Sequence, residues 1–102
     1  LGDVYKRQLV DGDRRPWLAA VIVPSAEARE TAESNEALKL LIADTIERAN
    51  SRLSQIERVR RFVIADNEFS IENSQLTATL KVRRHIVKAE YQDRLSALYN
   101  RQ

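Results

Sequence analysis

Three observations predict an α+β layer fold, with a short β-hairpin or sheet packed against two main helices. The apolar pattern runs strand, strand, helix, helix, strand, loop, helix along the chain. One of the strand candidates is apolar at every position, which demands cover on both faces. Two later segments carry apolar residues at three- and four-residue spacing, the period of an amphipathic helix. A length of 102 residues with 43% hydrophobic and 31% charged positions fits one domain and leaves no room for two.

The first eight residues stand apart. Residues 3 to 8 read Asp-Val-Tyr-Lys-Arg-Gln, the translation of GAT GTG TAT AAG AGA CAG. That string is similar to the transposon end ligated onto DNA during sequencing-library preparation. Residues 1–8 are therefore expected to be a sequencing-adapter scar, with 9–102 the domain proper and its natural reading frame starting further upstream. A scar has no evolved packing partners, so its removal is expected to leave the melting temperature unchanged.

Leu9 and Val10 end a first strand, and Asp11-Gly12-Asp13-Arg14-Arg15-Pro16 supplies the glycine and aspartates of a hairpin turn. Trp17 to Val23, bracketed by Pro16 and Pro24, reads as a strand covered on both faces, with Trp17 a core anchor. Ser25 suits the cap of a short polar helix from Ala26 to about Glu33. From Glu36 to Leu53 the residues Leu38, Ile42, Ile46, Ala49 and Leu53 form the stripe of an amphipathic helix. Arg61 to Ala65 reads as a buried strand ended by Asp66-Asn67. A polar loop over 67–80 follows, rich in hydroxyls at Ser70, Ser74, Thr77 and Thr79. The closing helix runs from Val82 to about Tyr99, with Ile86, Val87, Tyr91, Leu95 and Leu98 on one stripe. In this reading Thr79 caps it and Lys81 stands in its first turn.

Several chemistries are excluded outright. There is no cysteine, so disulfides, thiolate metal sites and Cys nucleophiles are impossible. The lone histidine, His85, has no second His or paired carboxylates near it in sequence, and is expected to be a surface or packing residue rather than a zinc ligand or catalytic base. Asp11 and Asp13 lack the further oxygen ligands of a Ca²⁺ loop. A net charge of +2 is too small to imply a polyanionic partner. The charge is uneven, however: Arg58 to Lys88 holds seven basic and three acidic residues, and Ala26 to Glu57 four basic and seven acidic. A lysine at a helix start is disfavoured by the helix dipole. A phosphate bound at free backbone N–H groups, with Lys81 as a mobile point charge, would resolve that conflict, whereas a solvated Lys81 would cost only about a few tenths of a kcal/mol.

The string Ser70-Ile-Glu-Asn-Ser-Gln-Leu-Thr-Ala-Thr-Leu-Lys-Val-Arg-Arg84 resembles the carboxyl-terminal signature of AMP-forming long-chain fatty-acid–CoA ligases. That signature carries Glu-Asn-Gly, then Leu-Thr-Pro-Thr, an apolar residue, a lysine and a basic pair. Gly12-Asp13-x-Arg15-Pro16 with Trp17, Ala-Val-Ile-Val-Pro24, Ile56-Glu57-x-x-x-Arg61-Phe62 and the Tyr91 to Tyr99 segment are similar to the same family, so the likeness covers residues 9 to 99. Ser74 stands where the family has glycine and Ala78 where it has proline.

The resemblance implies a small carboxyl-terminal lid domain of an enzyme that joins a fatty acid to AMP and passes the acyl group to coenzyme A. Lys81 would be the catalytic adenylation lysine and would touch nucleotide, with Thr79 a second nucleotide contact; no metal site is expected in this chain. ATP, Mg²⁺ and CoA would serve the full-length enzyme, and none should bind tightly to this fragment. The implied partners are the missing N-terminal AMP-binding domain, a fatty acid and CoA, with no nucleic acid expected. A cytoplasmic location, with peripheral membrane association as its variant, is also expected. Two rival readings come from the residues alone: a stand-alone nucleic-acid-binding module using the Arg58 to Lys88 stretch, and an interaction module whose basic loop is merely solvated. The strands lack the exposed aromatics that stack bases, which counts against the first.

One expectation follows directly. The isolated chain supplied with ATP, Mg²⁺, CoA and a fatty acid should form no acyl-CoA, because neither a phosphate loop nor an acyl pocket is encoded. Thioester production above a protein-free blank, followed by chromatography, would refute the fragment reading.

Overall fold

The computed structural model describes residues 4–12 and 15–100. Three strands, β1 (Tyr5–Asp11), β2 (Leu18–Pro24) and β3 (Val59–Ile64), form one sheet in the order β1-β2-β3. β1 runs antiparallel to β2, with Leu9 opposite Val21 and Asp11 opposite Ala19. β3 runs parallel to β2, with Ala19 opposite Arg61 and Ile22 opposite Ile64. A parallel pair needs a crossover, and helices α1 (Ala26–Thr31) and α2 (Asn35–Asn50) supply it. A 3₁₀ turn at Gln55–Glu57 leads into β3, and α3 (Arg84–Asn100) closes the fold. The α+β architecture expected from the apolar pattern is the one observed.

β2 explains the layering. Ala19, Val21 and Val23 are fully buried on one face, in a core with Phe69, Leu76, Val87, Tyr91 and Leu95. Ala20 and Ile22 are fully buried on the other, with Ala28, Leu38, Ile42 and Ile46. Successive residues of a strand point to opposite faces, so a continuous apolar run feeds two cores at once. Each fully buried Val or Ile there contributes about 1.5–3 kcal/mol.

Local chemistry sets the element ends. Ser25 Oγ accepts from Ala28 N at 3.1 Å to start α1, and Ser34 Oγ from Ala37 N at 3.1 Å to start α2. α2 stops at Asn50, short of the expected Leu53, because the Asn50 amide turns to the strand: Nδ2 donates to Val59 O at 2.7 Å and Oδ1 accepts from Val59 N at 3.1 Å. Leu53 thus falls beyond the helix and is exposed, and Ala49, within its last turn, is exposed as well, so neither belongs to the buried stripe. At the β1–β2 hairpin Arg15 N donates to Gly12 O at 3.0 Å. A Cβ on Gly12 would meet the terminal Cδ2 methyl of Leu18, which would have to turn aside. Asp13 and Arg14 of the expected turn lie outside the described residues. Trp17, expected as a core anchor, is half-buried at the core's margin, 4.4 Å from the Tyr99 ring centroid.

The first strand is longer than Leu9-Val10. It begins at Tyr5, with Tyr5 opposite Pro24 and Gln8 opposite Ile22. Val4 and Tyr5 pack against the α2-side core, Val4 O accepts from Ser25 N at 2.9 Å, and Lys6 pairs with Glu68 at 2.9 Å. The expectation that residues 1–8 lack packing partners therefore fails for 4–8, whatever DNA encodes them; residues 1–3 lie outside the described residues.

Deleting residues 1–8 should accordingly lower the melting temperature. Loss of about 1 kcal/mol moves a domain of this size by roughly 4 to 8 °C, and the deletion strips three paired residues, Tyr5, Arg7 and Gln8, from an edge strand. A melt by circular dichroism that leaves the midpoint unchanged would show that β1 contributes only from Leu9 onward.

Candidate functional site

The segment between β3 and α3 is a polar loop held by its own side chains. Ala65 is buried, and its N–H donates to Ile22 O at 2.8 Å, extending the β3 ladder by one residue. Asp66 then leaves the sheet under two restraints. Its N–H donates to Tyr91 Oη at 3.0 Å, and its carboxylate takes a bidentate pair from Arg94 at 3.0 and 2.7 Å. The Arg94 hydrogen bond holds the Asp66 carboxyl below the usual range. Both partners are substantially exposed, so the pair fixes geometry more than it adds stability.

Asn73 organises the next turn. Its Oδ1 accepts from Ser70 N and Gln75 N, both at 3.0 Å, while its Nδ2 donates to Glu68 O at 3.0 Å. Ser70 Oγ accepts from Asn73 N at 3.1 Å. The turn closes through Ser74, whose φ is 66°, a left-handed conformation that a non-glycine residue adopts at a cost. The glycine that the resembling family carries here thus has a backbone reason, which this chain meets with serine. Phe69 and Leu76 pin the loop to the α3-side core.

Lys81 sits on a second, tighter closure. Leu76 and Val82 form an antiparallel bridge, Thr77 N donates to Lys81 O at 2.8 Å, and Leu80 N to Thr77 O at 2.8 Å. Thr77 Oγ1 accepts from Lys81 N at 3.1 Å and lies 3.1 Å from Thr79 Oγ1. Leu80 has a φ of 65° and is 53% exposed. Arg7 Nη1 donates to Leu80 O at 3.2 Å. The backbone on both sides of Lys81 is thus tied down, while its side chain is exposed and takes part in no ion pair among the described residues.

This geometry corrects the expected helix start. α3 begins at Arg84, not Val82, so Lys81 is in the hairpin before the helix and Thr79 does not cap it. Bridging Val82 to Leu76 keeps it extended, and Arg83 N is spent on Gln75 O at 2.8 Å rather than on a helical turn. The conflict between lysine and helix dipole disappears, and with it the argument for a phosphate held at that helix end. His85, expected at the surface, is exposed on the first turn of α3, lining a cleft with Asp11, Arg15 and Lys88.

Asp11, read only as a turn residue, ends β1 and is buried. Its Oδ1 lacks a hydrogen bond of good geometry and is compensated by Lys88 Nζ at 3.0 Å. Tyr99 Oη donates to Asp11 O at 2.8 Å, and burial, followed by the Asp11 charge, raises the phenol's pKa. Sequence reading also missed Asn73, although an asparagine three residues after a serine in a polar loop is a turn signal.

Comparison with known proteins places this fold and loop in a superfamily of adenylate-forming enzymes, as a C-terminal domain. The family described as AMP-binding enzyme C-terminal domain matches residues 3–102, and the chain belongs to it. Among its relatives, a chloroplastic long-chain-fatty-acid–acyl-carrier-protein ligase of Arabidopsis thaliana is 32% identical over 95% of this chain and 14% of its own length. A long-chain-fatty-acid–CoA ligase of Mycobacterium tuberculosis is 28% identical over 97% of this chain and 19% of its own. The crystal structure of the adenylation domain of a carboxylate reductase from Mycobacterium chelonae superposes with a TM-score of 0.85 at 34% identity, covering 96% of this chain and 16% of that one. The chain thus spans less than a fifth of the length of these proteins.

Relief of the left-handed strain is measurable. Ser74→Gly should stabilise the domain by about 1 kcal/mol, since the cost of a left-handed residue is roughly 1–2 kcal/mol and glycine gives part of it back as unfolded-state entropy. A thermal melt should show the rise; a fall would mean that the serine side chain stabilises this turn.

Proposed function

We propose that the chain is the lid domain of an AMP-forming long-chain fatty-acid–CoA ligase and that Lys81 is its adenylation lysine. The observation that carries this reading is the contrast at one residue: a backbone locked by Thr77 and Leu80, and a side chain that is exposed and unpaired among the described residues. The similarity to a fatty-acid–CoA ligase supports it, and relatives that act with an acyl carrier protein or belong to a reductase share the adenylating step by class.

The chemistry needs such a group. Attack of a fatty-acid carboxylate on the α-phosphate of ATP brings two anions together as pyrophosphate leaves. A cation touching both offsets their repulsion and stabilises the charge that develops in the transition state. Lysine suits the task as a point charge on a flexible stem, able to enter and leave a site as its domain moves. Thr79, beside Lys81 in the same closure, is a further nucleotide contact. The acyl acceptor is the thiol of CoA. Among the described residues no group of three His, Asp or Glu side chains could hold a metal ion, so Mg²⁺ would travel with the triphosphate and be held by the N-terminal AMP-binding domain. That domain and the substrates are the partners, in the cytoplasm or at a membrane surface.

Lys81→Ala in a full-length enzyme built by joining this chain to an N-terminal domain should slow acyl-AMP formation roughly a hundred- to a thousandfold, the equivalent of about 3–4 kcal/mol lost with one electrostatic donor. Transfer from preformed acyl-AMP to CoA should change far less. Arg84→Ala, removing a nearby charge of the same sign, should cost adenylation much less than Lys81→Ala. Equal loss in both half-reactions would make Lys81 a folding or docking residue, and loss in neither would make it a solvated surface lysine.

A further inference from the structure

The outer edge of β3 is the place where the fold leaves backbone groups without a strand partner. β3 lies at the end of the sheet order, and among the described residues no strand pairs with its far side. Because Ala65 N–H bonds toward β2, the alternation of a strand turns the peptide groups of Phe62 and Ile64 away from it. At the start of the same strand, where the register with β2 shifts by one residue, Val59 turns its groups off the ladder and shows what such groups want. Asn50 gives its amide to both the N–H and the C=O of Val59, as a neighbouring strand would, and reaches no further along the edge.

Clefts of about 790 and 490 Å³ flank this edge, and between them they are lined by every residue from Arg58 to Asp66. The surroundings are strongly positive. Arg58, Arg60 and Arg61 line the first cleft, and Arg29, Lys39 and Arg94 the second. Of the three acids that line them, Asp44 is paired with Arg48 and Asp66 with Arg94, leaving Glu47 as the one acid without an ion pair among the described residues. Apolar surface is present beside the charge: Leu40 on α2 is 71% exposed and Ile56, just before the strand, 86%. An open edge, exposed apolar side chains and excess arginine together select one kind of occupant. A second copy of this chain would set arginine against arginine, and a basic segment would be repelled in the same way.

We propose that the edge of β3 docks an extended acidic segment of a partner protein, which adds to the sheet as a fourth strand. Main-chain bonds to Phe62 and Ile64 would supply affinity, acidic residues on the face that α2 covers would meet Arg60 and Lys39, and the apolar residues alternating with them would lie on the other face beside Val63. This docking is independent of the role of Lys81, which lies in the loop between β3 and α3.

The test uses the whole chain, isotopically labelled, and a blocked peptide alternating Glu and Val over roughly eight residues, a little longer than a typical strand. Its counterpart replaces each Glu by Lys. The acidic peptide should slow hydrogen exchange at the Phe62 and Ile64 amides, with binding that weakens as salt is raised; the basic peptide should do neither. Arg60→Glu combined with Lys39→Glu, both at exposed positions, should weaken the acidic peptide at least about tenfold with an unchanged thermal melt, and should confer binding of the basic peptide. Unchanged exchange at Phe62 and Ile64, equal binding of both peptides, or protection that grows with protein concentration in the absence of peptide would each overturn the proposal.

Discussion

β2 has to bury both of its faces, and the arrangement of the whole domain follows from that requirement. A strand of alanine, valine and isoleucine with no polar face cannot lie at the surface of a sheet, so helices must cover it from two sides. α1 and α2 do so through Ala28, Leu38, Ile42 and Ile46, and α3 through Val87, Tyr91 and Leu95. The small residues Ala19 and Ala20 at the start of the run let the layers approach closely, while Val21, Ile22 and Val23 fill the space beyond them. Its hydrogen-bonding edges are then taken by β1 on one side and β3 on the other.

That arrangement also determines where a mobile charge can be presented. The chain must pass from the end of β3 to the start of α3 around the end of the sheet, and Phe69 and Leu76 tether that passage to the α3-side core. Apart from the short Leu76–Val82 bridge the backbone of this passage has no ladder to join, so side chains satisfy it: Asn73 between the tethers and Thr77 just beyond them. The consequence is a loop that is ordered by polar contacts yet exposes Lys81 near its end. Two non-glycine residues in left-handed conformations, Ser74 and Leu80, mark where closure is tightest. Strain of this kind persists only where surrounding structure over-determines it, and here the bonds from Thr77 and Arg7 flank Leu80 directly.

Charges elsewhere are matched in a way that makes the exceptions informative. Asp11, the buried carboxylate, has Lys88; Asp66 has Arg94; Glu68 has Lys6. Asp11 costs the most to bury, and the nearby Lys88 ammonium and the Tyr99 hydroxyl on its carbonyl show how the hairpin and the last helix are held together there. Against that background, Lys81 and Arg60 on the β3 edge are cations with exposed side chains and no ion pair among the described residues. The proposed adenylation role rests on the first and the proposed docking on the second.

Much of this could be read from residue order. The apolar run of β2, the 3.6-residue stripes of α2 and α3, the serine cap of α1 and the signature around Lys81 are local patterns, each carried by a handful of neighbouring residues whose physics does not depend on distant parts of the chain. Other features belong to the tertiary structure alone. The extension of β1 back to Tyr5 depends on Pro24, Ser25 and Glu68 lying alongside it, and the end of α2 at Asn50 on Val59 being within reach of its amide. The start of α3 was displaced to Arg84 because Val82 and Arg83 found partners across the loop, at Leu76 and Gln75. Helical periodicity continues through those residues in sequence, and only a contact made by folding could interrupt it. The burial of Asp11 beside Lys88 has the same origin: residues 77 positions apart become neighbours when α3 is laid against the sheet, and no local pattern records that meeting.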